Sequence, residues 1–324
     1  VQTCALPISC VGDLDGDGTS DFALGGPSQV IGQHGVVQVY SGSTWQCLLD
    51  IPGDEAGFGV SLAPLGDVDA DRVPDFAIGC APLLKSNVAL GKAVIVSGAD
   101  GHVLHRLACD RSGIWFGCAI GCAGDADADG VADLLVGGNL GNAEGYVCLY
   151  SGRTGELLQS FASAAVVETY GRSLGSAGDV NHDGHADVWI AAPGSAGSGT
   201  LGSVLIYSGK DGALLQRYTG ERIGEPFGSH AMVIPNAGLI GDAIVIGCER
   251  GGTTGGGYVR AFDLRSQQPL RTWFAPGGVM GFGSCVADLG IQGGVRDLAI
   301  SGISQGKGGM IWRVRMELPK PKPK

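Results

Sequence analysis

Four short acidic segments carry the side chains best suited to chemistry. They read GDLDGDGTSD, GDVDADRVPD, GDADADGVAD and GDVNHDGHAD, and each sets an oxygen-bearing side chain at positions 1, 3, 5 and 9 of a nine-residue loop. Carboxylates at this density repel one another unless a cation lies between them, and Ca²⁺ accepts six to eight oxygen ligands in irregular geometry. The loops therefore predict up to four calcium sites.

The predicted ligands occupy equivalent positions in the four loops. The side-chain ligands are Asp13, Asp15, Asp17 and Asp21; Asp67, Asp69, Asp71 and Asp75; Asp125, Asp127, Asp129 and Asp133; and Asp179, Asn181, Asp183 and Asp187. Each loop also offers the backbone carbonyl of position 7, which belongs to Thr19, Val73, Val131 and His185. Water would complete each coordination shell.

The loops are not equally suited to the ion. An EF-hand would need Glu at position 12 and flanking helices, but the residues there are apolar: Leu24, Ile78, Val136 and Ile190. At position 6 the second loop has Arg72 where the others have Gly, and a turn that needs positive φ disfavours a Cβ by ~1 kcal/mol. The second site is therefore the weakest prediction, and solvated Asp-Gly turns remain the alternative for every loop.

A repeat of about 55 residues organises the rest of the chain. The position-9 aspartate continues at Asp242 and Asp297, which have lost the other ligands and are expected to cap turns. An aromatic residue followed by Gly recurs at Phe58–Gly59, Phe116–Gly117, Tyr170–Gly171, Phe227–Gly228 and Phe282–Gly283. Each repeat contains four short apolar strands separated by turn residues, which is typical of a propeller blade. The sequence predicts an all-β propeller of four-stranded antiparallel blades, with six blades, or seven if one is incomplete or missing.

These motifs resemble the FG-GAP repeats of integrin α-subunit propellers. Phe58–Gly59 with the later Ala81–Pro82, and Tyr170–Gly171 with Ala192–Pro193, show both halves of that pattern. The resemblance covers residues 10–316, expected to form one propeller domain. Residues 1–9 fit nothing that follows and are expected to be a non-native leader, and residues 317–324 form a Pro/Lys-rich tail.

Composition limits the classes of partner. The net charge of −11 arises largely in the four loops, and no basic stripe is present to meet nucleic-acid phosphates. No apolar run reaches the ~18 residues that cross a membrane. None of the ten cysteines forms a C-x-x-C motif. Buried free thiols are expected, with a few cross-strand disulfides left open.

The sequence contains no persuasive catalytic constellation. His182 and His185 flank Asp183, which the calcium pattern already uses. The resemblance implies a non-catalytic, extracellular, periplasmic or cell-surface scaffold for protein or carbohydrate ligands, bound on the rim opposite the calcium loops. Candidate contact residues on that rim are Glu55, Lys85, Arg111, Trp115 and Arg222. A polysaccharide lyase or hydrolase-associated propeller, and a sugar-binding lectin with pockets between blades, are the alternatives.

Overall fold

The regular structure consists entirely of β-strands in the part of the chain that is described. The computed structural model describes residues 7–28, 33–54, 57–81, 91–108, 115–139, 145–162, 169–194, 199–235, 241–252, 255–292, 295–304 and 308–316. Within these ranges the strands assemble into six four-stranded antiparallel sheets, which are the blades of a six-bladed β-propeller. The predicted fold class is confirmed.

Each sheet takes its strands from one repeat of the sequence. Sheet 1 contains β1 (Ile8–Gly12), β2 (Asp21–Gly26), β3 (Val36–Tyr40) and β4 (Cys47–Pro52); sheet 2 contains β5 (Phe58–Gly66), β6 (Asp75–Cys80), β7 (Lys92–Val96) and β8 (Val103–Leu107). Sheet 3 contains β9 (Ala119–Gly124), β10 (Asp133–Asn139), β11 (Gly145–Tyr150) and β12 (Leu157–Ala162).

The second half of the chain repeats this plan. Sheet 4 contains β13 (Ser173–Gly178), β14 (Asp187–Ala192), β15 (Ser203–Tyr207) and β16 (Leu214–Thr219). Sheet 5 contains β17 (Phe227–Ile234), β18 (Ala243–Cys248), β19 (Tyr258–Asp263) and β20 (Pro269–Phe274). Sheet 6 contains β21 (Val279–Met280), β22 (Val286–Gln292), β23 (Val295–Ser304) and β24 (Gly308–Met316).

The second strands are apolar because they are buried on both faces. All six residues of β6, β14 and β18 are buried, and they read DFAIGC, DVWIAA and AIVIGC. The outer strands β4, β12 and β16 instead mix exposed and partly buried residues around one buried side chain, Ile51, Phe161 or Tyr218. Because the inner strands are buried on both faces, apolar and polar residues alternate only weakly along them.

Sheet 6 departs from the common plan. β24 pairs with β23 along its whole length, from Ser304↔Gly308 to Arg296↔Met316. β21 and β22 both pair with β23 as well, at Val279↔Ser304 and Val286↔Ile300. Because β24 occupies one edge of β23, the two short strands share the other, and this sheet is three strands wide.

The chain divides into two compact units, each with its own apolar core. The first unit comprises Val1–Gly175 with Gly184–Ala186 and Gly209–Gly212; the second comprises Ser176–Asp183, Asp187–Ser208 and Ala213–Lys324. In the first unit, Phe116, Tyr146 and Leu134 belong to a cluster of buried residues. In the second, Phe227 and Ile246 belong to another. The aromatic members of these aromatic–Gly pairs thus belong to the apolar core.

The cysteines of the described segments are free thiols. Cys80, Cys148 and Cys248 are buried, as expected, but Cys10, Cys47 and Cys285 are exposed. The expectation of burial was wrong for those three because they lie on the solvent side of their sheets or at sheet edges. No helix in the described residues is long and apolar enough to cross a membrane.

Candidate metal centres

Each acidic loop is the connection between the first and second strands of its sheet. The first loop follows β1, which ends at Gly12, and its last residue, Asp21, begins β2. The same connection joins the first two strands of sheets 2, 3 and 4. The loops are therefore hairpin turns of nine residues, in the place that the sequence predicted.

The backbone of each loop turns through two left-handed residues. At position 6, Gly18, Gly130 and Gly184 have φ between 85° and 88°, and Arg72 has φ of 76°. The predicted requirement for positive φ at that position is confirmed. At position 4 the residues are Gly16, Ala70, Ala128 and His182, with φ of 76°, 67°, 62° and 61°. This second left-handed position is not evident from the sequence, because three of the four residues there are not glycine.

This backbone geometry directs amide groups at the first carboxylate of each loop. The position-5 N–H donates to Oδ1 of the position-1 aspartate in all four loops, at 2.9–3.1 Å. The position-6 N–H donates to Oδ2 of the same carboxylate in the first three loops, at 2.8–2.9 Å. Because each carboxylate oxygen has two lone pairs, a cation can still be bound by the same group.

Three loops gather carboxylates closely enough to share an ion. Ligand atoms of Asp13, Asp15 and Asp17 lie within 4.8 Å of one another, as do those of Asp67, Asp69 and Asp71, and those of Asp125, Asp127 and Asp133. Oxygen ligands lie 2.3–2.6 Å from Ca²⁺, so two ligands on opposite sides of one ion are ~5 Å apart at most. The donor set and its spacing therefore fit a hard divalent cation.

The position-9 aspartates lie deeper than the other ligands. Asp21, Asp75, Asp133 and Asp187 are fully buried. Oδ2 of each accepts a hydrogen bond from the position-2 amide, at 2.7–2.8 Å. Oδ1 of the first three accepts one from the glycine of the following turn, Gly42, Gly98 or Gly152, at 2.9–3.0 Å. These carboxylates join the acidic loop to the turn between the third and fourth strands.

Burial changes the acidity of these carboxylates. It raises the pKa of Asp133 to about 6 and also raises the pKa of Asp75, although backbone amides oppose the shift in both cases. At an exposed ligand the balance is reversed: a hydrogen bond from the Ser43 hydroxyl is the main cause of the lowered pKa of Asp17. A divalent ion beside the buried group would favour its charged form.

The third and fourth loops bring in partners that sequence patterns did not reveal. Arg153, in the turn after β11, donates from Nε to Asp129 Oδ2 at 2.8 Å, and Asp129 is not among the three clustered carboxylates of this loop. In the fourth loop, Asn181 Nδ2 donates to Asp183 Oδ2 at 3.0 Å. His185 contacts the Ala126 carbonyl through Nδ1 at 2.7 Å, so its side chain makes a structural contact with the third loop.

The fifth and sixth repeats replace the charged loop in two ways. In sheet 5 the pairing Ile244↔Phe262 corresponds to Phe22↔Tyr40 in sheet 1, which makes buried Ala243, and not exposed Asp242, the counterpart of the position-9 aspartate. In sheet 6 that counterpart is Asp297, which is 1% exposed and accepts hydrogen bonds from the Arg313 guanidinium, one of them at 2.8 Å from Nε. The expectation that Asp297 caps a turn is wrong, because a guanidinium neutralises it.

In sheets 2–5 the opposite end of the first strand carries the aromatic–Gly pair. Phe58 begins β5, and Phe116 and Tyr170 come shortly before β9 and β13. Of the rim residues singled out from the sequence, Trp115 is half-buried and Arg222 is exposed. Glu55, Lys85 and Arg111 lie outside the described residues.

Known families and structures agree with this architecture. Residues 170–207, which contain Tyr170–Gly171 and the fourth acidic loop, match the FG-GAP repeat family. Sqt1 of Saccharomyces cerevisiae has a similar fold, with a TM-score of 0.59 at 11% identity over 91% of this chain and 68% of that one. The rhamnogalacturonan lyase YesW gives a TM-score of 0.51 at 17% identity, over 98% of this chain and 58% of that one. The chain is a β-propeller in which residues 170–207 match an FG-GAP repeat.

Within that class, the chain is similar in sequence to integrin α-subunits. Integrin alpha-5 of Xenopus laevis is 30% identical over 173 residues, which are 50% of this chain and 16% of that protein. Integrin alpha-V of Gallus gallus is 31% identical over 204 residues, 57% of this chain and 19% of that protein. The chain spans less than a fifth of the length of these relatives.

Proposed function

We propose that this protein is a calcium-binding β-propeller that serves as a non-catalytic scaffold for an extracellular protein or glycan. The observation that carries the proposal is the recurrence of one loop geometry at the same place in four sheets, with carboxylates gathered within 4.8 Å in three of them. The similarity to integrin α-subunits supports a role in adhesion.

Calcium would act here on the fold and not on a substrate. The ion would cancel the repulsion among the position-1, position-3 and position-5 carboxylates and hold the hairpin of its sheet closed. The expected ligands are Asp13, Asp15 and Asp17 in the first loop, with the position-7 carbonyl and the position-9 carboxylate completing the protein part of the shell. Each occupied site would stabilise the folded chain by ~2.7 kcal/mol when calcium is at 100 times its Kd.

An address outside the cytoplasm follows from the expected affinity. The loops are open hairpins at the surface, and we expect them to bind Ca²⁺ with a Kd of about 10⁻⁴–10⁻³ M, the range typical of extracellular modules. Millimolar calcium would fill such sites, and cytosolic calcium would leave them without an ion. We therefore propose an extracellular or cell-surface location, with the ligand bound on the rim that carries the aromatic–Gly turns.

Calorimetric melting of the full chain tests the metal half of the proposal. We expect chelation of calcium to lower Tm by at least ~5 °C, because three or four sites lose their linkage stabilisation together. Magnesium at the same concentration is the control ion and should restore little, because it demands near-octahedral geometry and retains its water. An unchanged Tm on chelation would contradict calcium binding.

An enzymatic function is the second candidate. The fold likeness to a rhamnogalacturonan lyase raises it, but a likeness at 17% identity concerns the fold alone. Among the described residues, one cleft of about 240 Å³ holds several titratable groups, Asp179, His182, Asp242 and Arg265. Asp179 is also a proposed calcium ligand, so this cleft is better explained as the flank of the fourth loop. Release of unsaturated products from a pectic polysaccharide, followed by ultraviolet absorbance, would favour the lyase instead.

A further inference from the structure

We propose that the cleft between the aromatic–Gly turns of sheets 3 and 4 binds a carboxylated sugar residue. This inference deepens the proposed scaffold function, on which it rests, by naming a ligand class and a place. The cleft has a volume of about 320 Å³ and is lined by Trp115, Cys118, Gly138, Thr169 and Arg172, among others. A volume near 300 Å³ is at the lower end for small-molecule sites and suits one or two sugar rings.

The two turns that frame the cleft have the same backbone as their three counterparts. In each turn the residue after Gly donates its amide to the carbonyl of the residue before the aromatic, at 3.0–3.2 Å. The glycine has φ between 81° and 92° in all five. Positive φ at this place makes the turn specific to glycine and fixes the direction of the flanking side chains. The turn therefore has one backbone conformation in all five sheets, and the residues on either side of it differ between sheets.

Among the described residues of the five turns, the flanking residues distinguish this cleft from the equivalent places in sheets 2, 5 and 6. The pairs that flank the other turns are Gly57 and Val60, Pro226 and Ser229, and Gly281 and Ser284. At the cleft the flanking residues are Trp115 and Cys118 on one turn, and Thr169 and Arg172 on the next. An indole and a guanidinium stand here, where the other turns have Gly, Val, Pro or Ser.

The chemistry of these groups matches an acidic pyranose. A flat indole offers an apolar face for the C–H side of a sugar ring, and a guanidinium binds a carboxylate through two parallel hydrogen bonds. Among the residues that the structure describes, no hydrogen-bond or ion-pair partner engages the Arg172 guanidinium. Burial raises the pKa of the Cys118 thiol to about 11, so the cleft wall there is neutral and does not compete for the cation.

The site also lies where a ligand would leave the calcium loops undisturbed. Trp115 and Cys118 precede β9, whose other end leads into the third acidic loop at Asp125. The six residues of β9 separate the two by ~17–20 Å. Calcium at the loop and sugar at the cleft therefore occupy opposite ends of one strand.

Binding of matched oligosaccharides to the full chain in calcium buffer tests the proposal. The probes are an unsulfated glucuronate-containing tetrasaccharide and the same glycan with its carboxylates reduced to alcohols. We expect the acidic glycan to bind at least tenfold more tightly than the reduced one. Arg172→Gln should remove that preference, and Trp115→Ala should weaken both glycans. Arg217→Gln and Trp45→Ala, at exposed residues of β16 and of the turn after β3, are the matched controls and should change neither.

The outcomes separate this proposal from the scaffold function. If the chain binds a glycan or protein on arrays but Arg172→Gln and Trp115→Ala leave that binding unchanged, the cleft assignment is overturned and the scaffold function stands. If an aspartate-rich peptide competes better than the acidic glycan, the ligand is a protein carboxylate and the assignment to sugar is wrong. If no glycan or protein binds the calcium-loaded chain, both proposals fail together.

Discussion

At several positions the acidic loops need a left-handed backbone conformation, but the residue there is not glycine. A residue with a Cβ is disfavoured at positive φ by ~1 kcal/mol relative to Gly. Arg72 adopts φ of 76° at a place where three sister loops have Gly. No heavy atom would lie within 4 Å of a Cβ at Gly18, Gly130 or Gly184, so the cost there is conformational and not steric.

Arg72→Gly should therefore stabilise the chain. We expect the free energy of unfolding to rise by about 1 kcal/mol in chelator, measured by urea denaturation. Calcium affinity of the second loop should rise as well, because the nearby positive charge is removed. Arg217→Gly, in the interior of strand β16, is the control and should destabilise by ~0.5–1 kcal/mol. A loss of stability in Arg72→Gly would contradict the strain argument.

A partly buried histidine gives the chain a pH dependence that is separate from calcium. His230 lies on β17, and its Nδ1 accepts a long hydrogen bond of 3.4 Å from the Val286 amide. Burial lowers its pKa from 6.5 to about 4. The unfolded chain therefore takes up a proton near pH 6.5, whereas the folded chain does so only near pH 4, and stability is lost as pH falls through that window.

The difference between wild type and His230→Asn should isolate this effect. Asn can still accept from the Val286 amide but does not titrate. We expect wild type to lose up to about 1.4 kcal/mol of unfolding free energy more than the variant for each pH unit between 6.5 and 4. Urea denaturation at fixed calcium across that range measures it. Parallel pH profiles for the two proteins would show that His230 does not titrate in this way.

At the scale of the element, each of the four acidic hairpins combines more exposed carboxylates, which are the proposed calcium ligands, with one buried aspartate at position 9 that has a structural role. Asp75 holds the second loop to the next turn through the amides of Val68 and Gly98, at 2.7 Å and 2.9 Å. Asp69 is exposed and belongs to the carboxylate cluster. The buried residue should matter to folding with or without the ion, and the exposed one only with it.

Asp75→Ala and Asp69→Ala distinguish these roles. Asp75→Ala should lower the free energy of unfolding by about 2 kcal/mol or more even in chelator, because two buried amides lose their acceptors. Asp69→Ala should leave stability in chelator unchanged or slightly higher, and should lose the gain that calcium gives at this loop. Urea denaturation with calcium and with chelator measures both. Equal behaviour of the two variants would show that the roles are not separate.

Sheet 6 replaces the metal loop with an internal cation. Arg313→Met should destabilise the chain by about 1–3 kcal/mol at any calcium concentration, because the buried Asp297 carboxylate would lose its guanidinium hydrogen bonds. The remaining cation, Arg315, is 3.7 Å from Asp297 Oδ1 through its Nε, beyond hydrogen-bond distance. Adding Asp297→Asn to this variant should recover part of the loss, since the unpaired charge is removed. Denaturation of the single and double variants measures this coupling, and additive losses would rule it out.

The sequence predicted the repeated elements well because their causes are local. Gly and Asp at fixed spacing define the hairpins, and apolar runs define strands buried on both faces. What could not be predicted depends on pairing across the sheet. The arginine partners Arg153 and Arg313 lie 24 and 16 residues from their aspartates. The offset that places Ala243 in the position-9 site appears only in the register of β18 with β19. The left-handed position 4 was hidden because Ala and His occupy it.

At the scale of the whole molecule, stability should be distributed along the repeats. Each sheet has buried faces that it cannot cover alone, so neighbouring sheets share their apolar clusters. The cluster around Phe58 and Ile78, for example, includes Val37 and Val39 of sheet 1. Under the proposed function, the four loops of sheets 1–4 would add ion-dependent stability, and sheets 5 and 6 would not. Calcium would then stabilise one part of the repeat array and not the other.

Anomalous diffraction from crystals grown in calcium is the measurement that tests the central claim most directly. We expect peaks inside the first and third loops, between Asp13, Asp15 and Asp17 and between Asp125, Asp127 and Asp133, with weaker peaks in the second and fourth. Sheets 5 and 6 should show none. Maps without a peak in any of the four loops, with the carboxylates turned toward solvent, would contradict the account.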